Sequence, residues 1–251
     1  MKTSLVIAGH EWRRLRVQAW PWLLLAAVLA LLAWLFLDRL DTYLRLQEST
    51  GNAAHVGATA QVAAPVLGWL AILLIVLVPL LGSRAIAGER RVHSLNLLLA
   101  AGISDVAIVS GKWLGLCLWL LLLIALTALM PLSLFGTTEL DLGRLAANLL
   151  ALVLQAAMLA AIALYASSLT AQPVLAAAVA LLINLLLCVV DLGAREAGVS
   201  NSLINWLALP SHFGPLSDGV VASVDLVWFA LISGIFLALA TRQLAALRGA
   251  D

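Results

Sequence analysis

The chain has 251 residues, of which 64% are apolar and only 11% charged, against about 45–50% and 25% in a soluble domain. A water-soluble fold of that length cannot hide so much apolar surface, so the composition excludes a soluble enzyme or binding module and points to lipid as the solvent. The formal net charge of +1 decides nothing by itself; the placement of the charges does.

In the first 18 residues, Lys2, Arg13, Arg14 and Arg16 flank an apolar stripe of Leu5, Ala8, Trp12, Leu15 and Ala19. This spacing predicts an amphipathic helix over 1–18 lying on an anionic membrane surface. The apolar run 20–37 is too long for the core of a signal peptide and ends without a small-residue cleavage site, so it reads as transmembrane helix 1. A polar stretch of mixed charge follows and ends in the loop-like Ser49-Thr50-Gly51-Asn52. Further spans are expected at 62–82, 113–135, 145–168, 173–191 and 224–241, each near the roughly 20 residues needed to cross the hydrocarbon core. Ser167, Ser168, Thr170, Gln172 and Pro173 interrupt the uncharged run after Leu145, which places a tight turn between helices 4 and 5. The segment 192–223 is amphipathic and rich in turn residues. In helix 6 only sixteen residues separate Asp225 from Arg242, so either Asp225 sits at the outer interface or the helix starts deeper.

Lys and Arg in the loops set the orientation. With the N-terminus inside, the cytoplasmic side collects Lys2, Arg13, Arg14, Arg16, Arg84, Arg90, Arg91, Lys112, Arg242 and Arg248. The other side keeps Arg39, Arg45, Arg144 and Arg195. Six crossings with both termini in the cytoplasm follow. Cys117 and Cys188 then lie near opposite faces of the bilayer, too far apart to bridge, and no Cys/His spacing suggests a metal.

The most informative stretch is 84–112, between helices 2 and 3. Glu89, Arg90, Arg91 and His93 form a charged cluster; Ser94, Leu95, Leu98 and Leu99 begin and edge a short amphipathic helix. Gly102 suits a C-cap, and Ser104 with Asp105 an N-cap. Such a segment offers a docking surface for a cytosolic partner; an ordinary basic loop that fixes topology is the other reading the residues allow. Gly111-Lys112 is no phosphate-binding loop, since Val106 stands where the first glycine is needed and Trp113 where Ser or Thr is needed. Any ATP must be hydrolysed by another chain.

The segment closely resembles the coupling region of ABC-2 type permeases, particularly those of the gliding-motility and nitrous-oxide-reductase-maturation subfamily. Glu89, Arg90, Leu97, Leu98, Leu99, Ser104, Asp105, Gly111 and Lys112 match, whereas Val92-His93-Ser94 replaces the usual Gly-Thr. A second block, 209–229, resembles the family's sequence between helices 5 and 6 at Ser211, His212, Phe213, Gly219, Val220, Asp225 and Val227; Asp218 departs from the basic residue common there.

The resemblance implies an all-α polytopic protein of the ABC-2, type V exporter-like fold with an N-terminal interfacial helix. It implies a permease that is no enzyme and binds no cofactor directly, with ATP and Mg held by two copies of a separate ABC ATPase. A second copy of the permease, the bilayer and an auxiliary envelope protein complete the expected partners, and nucleic acid is not among them. The expected location is the bacterial inner membrane. Residues 89–103 would form the ATPase-coupling helix, the segment around Ser211, His212 and Phe213 would cap the pathway as short re-entrant helices, and helices 2 and 5 would line the dimer interface. A force-transmitting complex that acts on an envelope partner without transport is the alternative.

No charge falls at mid-bilayer in this topology, which disfavours an ion-coupled carrier. Asn184, halfway along helix 5, either faces the pathway or bonds a neighbouring helix. His212 is either a ligand or proton relay, or a hydrogen-bonded structural residue. Helix 2 has almost no polar side chain; lining a pathway, it would suit an apolar or lipid-linked cargo. Neither a His-Glu-x-x-His run nor paired membrane aspartates mark an intramembrane protease.

Overall fold

The computed structural model describes residues 2–50, 57–92, 102–136, 138, 140–196 and 206–248. Regular structure among them is helical. Helix α1 spans Lys2–Val17 and α2 spans Ala19–Thr50, with only Gln18 between them. A π-helical turn, Thr59–Ala63, runs directly into α3, Ala64–Gly82. The short α4 covers Ala87–Arg91, and α5 covers Asp105–Leu132. Helices α6 and α7 are Leu142–Leu169 and Pro173–Glu196. The nine-residue α8, Leu209–Ser217, precedes α9, Ser223–Arg248. Among the described residues six helices are long and apolar enough to cross a membrane: α2, α3 with its flanking turns, α5, α6, α7 and α9.

The helix boundaries follow local chemistry. Ser104 caps α5 by accepting from the Ala107 N–H at 3.4 Å, after Gly102 has turned the chain with a φ of +70°. Asp141 caps α6 through the Arg144 N–H at 3.0 Å. Pro173 opens α7, where its missing N–H costs nothing. Helix α2 outlasts the apolar run that ends at Leu37, because helix-compatible polar residues continue it. Arg45 pairs with Asp41 one turn back at 2.7 Å, and the Thr42 hydroxyl donates to the Asp38 carbonyl at 3.0 Å. The polar stretch after helix 1 is therefore helical as far as Thr50.

Helix α6 is the hub. Its membrane-length window is 67% buried, against 22% for α7. Small residues make this possible: Ala147, Ala151, Ala156, Ala160 and Ala163 let neighbours approach. At the closest approach, a Cβ on Gly82 of α3 would stand 2.6 Å from the Ala163 Cβ. The outer faces stay apolar, with Leu23 and Trp34 on α2 and Leu182, Leu186 and Val189 on α7 exposed, as a chain solvated by lipid requires.

Helix α1 is packed along the first half of α5. Ser4, Ile7, Ala8 and Glu11 face Gly111 and Gly115, where added Cβ atoms would fall 2.7 Å from the Ile7 Cβ and 2.6 Å from the Glu11 Cβ. A Gly-x-x-x-Gly step on α5 thus receives the Ile7 and Glu11 side chains of α1. The stripe expected to face lipid is divided: Ala8 and Leu15 are buried, and Leu5 is exposed. The start of α5 and the end of α9 meet where Arg248 pairs with Asp105 at 2.9 Å, each charge favourable to its helix dipole. This end of the bundle, with α1 and α4, is called basal below, and the opposite end distal.

Candidate functional site

The residues of interest fall at three levels. At the basal end, the chain leaves α3 through a turn at Ser83–Ile86 and enters α4. Ser167, in the last turn of α6, holds that turn. Its Oγ accepts from the N–H groups of Ile86 (3.0 Å) and Ala87 (2.8 Å) and donates to the Ser83 carbonyl (2.7 Å). One hydroxyl thereby uses its donor and both lone pairs. Arg90 then reaches the Ser168 carbonyl at 3.0 Å, placing a cation on the carbonyl end of α6.

Glu89 points inward, into a closed ring of alternating charge. Lys112 of α5 bonds Glu89 and lies 3.6 Å from Glu11 of α1. Arg14 of α1 pairs with Glu11 at 2.8 Å and stands 3.6 Å from Glu89. The Lys112 and Glu11 side chains are only 2% and 4% exposed. A lone buried ammonium would be very unfavourable, and two carboxylates with a guanidinium between them compensate it. The ring ties three segments together: α1, α4 and the first half of α5.

Of the residues expected to couple to an ATPase, Glu89 and Arg90 are thus joined by intramolecular struts, and Arg91 lies exposed at the end of α4. Ser104 and Asp105 begin α5, as the capping pattern indicated. His93, Ser94, Leu95, Leu98 and Leu99 lie outside the described residues. Glu11 and Arg14 were missed as members of a site. A signal was present, since Glu11 is the single acid in the first 37 residues and lies on the face of Ala8 and Leu15.

Mid-bundle, Asn184 of α7 is fully buried, and its Nδ2 donates to the Ile75 carbonyl of α3 at 3.1 Å. Ile75 is the residue whose carbonyl Pro79 would serve if proline had an N–H. Gln155 of α6 makes a parallel bond one turn away, from Nε2 to the Ala71 carbonyl at 3.0 Å. Both amides join helices, the second of the two readings Asn184 allowed.

At the distal end, α8 lies on α6 and α9. His212 has its Nδ1 2.7 Å from Asp225 Oδ1 and its Nε2 3.0 Å from the Trp206 carbonyl, and its ring stacks on Trp228 at 4.5 Å. Asp225 belongs to the first turn of α9, where a carboxylate suits the dipole. Ser211 is half-buried, with its N–H on the Ala208 carbonyl at 3.2 Å, and Phe213 packs against the main core. Asp218, the departure from the family pattern, pairs with Arg144 at 2.8 Å. Among the described residues no group of His, Cys, Asp and Glu converges as a metal site.

Six membrane-length helices among the described residues, several of them tied together at one end by charged struts, define a polytopic membrane protein. The model of the ABC-2 family transporter protein matches residues 5–210, so the chain belongs to the ABC-2 transporter family. Membership makes it the multi-pass membrane subunit of an ABC transporter and implies an ABC ATPase as partner. No curated protein matches the chain.

Proposed function

We propose that the chain is the permease of an ATP-driven exporter of the gliding-motility and nitrous-oxide-reductase-maturation kind. Two copies would span the bacterial inner membrane with both termini cytoplasmic. Each would seat its 84–112 segment on a separate ATPase subunit, which binds ATP and Mg and performs the hydrolysis. The basal end is then the cytoplasmic end, α1 is the interfacial helix and α8 belongs to the outer cap of the pathway.

The observation that carries this reading is the interlock around α4. A segment that passes a stroke from an ATPase into the membrane must be stiffly joined to the helices it moves. Here Ser167 clamps the segment to α6, Arg90 clamps it to the same helix end, and the charged ring fastens it to α1 and α5. Glu89 acts in this reading as an internal strut, while the apolar edge of Leu95, Leu98 and Leu99 is left for the ATPase groove.

The test is reconstitution of the permease with its ATPase in proteoliposomes. Permease-dependent ATPase activity together with ATP-dependent export of cargo is expected. Replacing Leu95, Leu98 and Leu99 by Ser should release the ATPase while the permease keeps its thermal transition. ATPase stimulation without any vectorial flux would instead establish the force-transmitting alternative.

A further inference from the structure

We propose that the groove on the outward side of α1, between Gly9, Trp12, Arg13, Arg16 and Val17, binds the phosphate headgroup of an anionic phospholipid. The groove is an open depression of about 480 Å³. The three arginines of α1 are divided between two tasks. Arg14 turns inward to Glu11 and Glu89, whereas Arg13 and Arg16 are exposed and pair with no carboxylate among the described residues. Three residues apart, they lie on neighbouring turns of one helix face. Two guanidiniums so placed offer parallel N–H donors to the oxygens of one phosphodiester, and they favour a headgroup of net negative charge over a zwitterionic one whose own cation opposes them.

The height of the groove identifies the source of the phosphate. Trp12 and Trp22 both pack edge-on against Trp119, at 5.6 and 5.0 Å, and Arg84 lies 4.6 Å over the ring of Trp20. Tryptophans gathered at one level, where α1 passes into a membrane-spanning helix, mark the headgroup layer. Val17, 80% exposed, gives the groove an apolar wall. A glycerol backbone and acyl chain would cover that wall; a free phosphate would leave it bare. Gly9 borders open space, since a Cβ there would meet nothing within 4 Å, so a large side chain placed there has room to fill the depression.

The experiment is native mass spectrometry of the purified full chain, titrated with phosphatidylglycerol, with phosphatidylcholine and with inorganic phosphate. Phosphatidylglycerol adducts are expected to survive activation that strips phosphatidylcholine, and excess inorganic phosphate should not displace them. Arg13→Gln with Arg16→Gln should weaken phosphatidylglycerol binding by about tenfold or more, the loss of one charge-assisted contact or more. Gly9→Phe should do the same without changing any charge, by filling the groove. It removes a glycine from a helix interior and so should not lower the thermal transition. Equal retention of the two lipids, wild-type binding by both variants, or displacement by inorganic phosphate would each overturn the assignment.

Discussion

Asn184 completes a hydrogen bond that Pro79 leaves unmade. Its Nδ2 lies 3.1 Å from the Ile75 carbonyl, one turn before the proline, so an amide on α7 replaces the missing N–H in α3. The bond lies about two turns before the exit from α3 into the 84–112 segment, and it fastens α3 to α7 at mid-bundle.

Asn184→Leu is expected to lower the stability of the purified protein by about 1 kcal/mol, the scale of interhelical hydrogen bonds in membranes. In a Pro79→Ala background the same change should cost little, because residue 79 then serves Ile75 itself. Thermal unfolding of the four proteins in detergent measures the cycle, and additive losses would show the two residues to be independent.

The basal ring predicts strong non-additivity. Lys112→Met leaves Glu11 and Glu89 facing each other with only Arg14 between them, and about 3 kcal/mol or more of destabilisation is expected. Adding Glu11→Gln restores neutrality with Arg14 and Glu89 still paired, so the double variant should be more stable than Lys112→Met alone. Unfolding midpoints decide it: a double variant less stable than either single one would contradict the ring.

Ser167→Ala deprives the Ile86 and Ala87 N–H groups and the Ser83 carbonyl of a partner at once. A loss of about 2 kcal/mol or more is expected, each orphaned buried group contributing 1–3 kcal/mol. In the reconstituted complex this change should also lower permease-stimulated ATP hydrolysis while the ATPase still co-purifies. Unaltered stimulation would mean that the clamp plays no part in transmission.

The His212–Asp225 pair should respond asymmetrically. Asp225→Asn keeps an oxygen beside Nδ1 and is expected to be mild, whereas His212→Ala leaves a carboxylate that is largely buried without its partner and removes the stack on Trp228. Limited proteolysis of the α8 region in the two variants compares them. Equal protection would remove the pair from any role in holding α8.

Much of this molecule was legible in one dimension because lipid imposes a simple rule. A continuous apolar run of about 20 residues crosses as a helix, which satisfies its backbone within the segment, whereas a barrel strand is about half as long and alternates. The six spans found among the described residues, the tight turn before Pro173, the cap at Ser104, and the family resemblance at Glu89–Lys112 all follow from local pattern. Polar chemistry between helices does not. Asn184 was visible as a buried amide, yet its partner is the backbone carbonyl of a residue more than a hundred positions away, and a carbonyl has no identity in a sequence.

Composition and charge spacing by themselves thus determined a polytopic membrane protein of about six spans, and the matching residues at Glu89–Lys112 its family. Only the tertiary structure decided that Arg14 turns inward while Arg13 and Arg16 do not, that Glu11 and Lys112 close a ring with Glu89, and that Gly111 and Gly115 carry α1. The physical reason is that lipid selects the residues of each helix by their transfer energy, one residue at a time, whereas pairing of charges and close approach of backbones depend on which helices become neighbours.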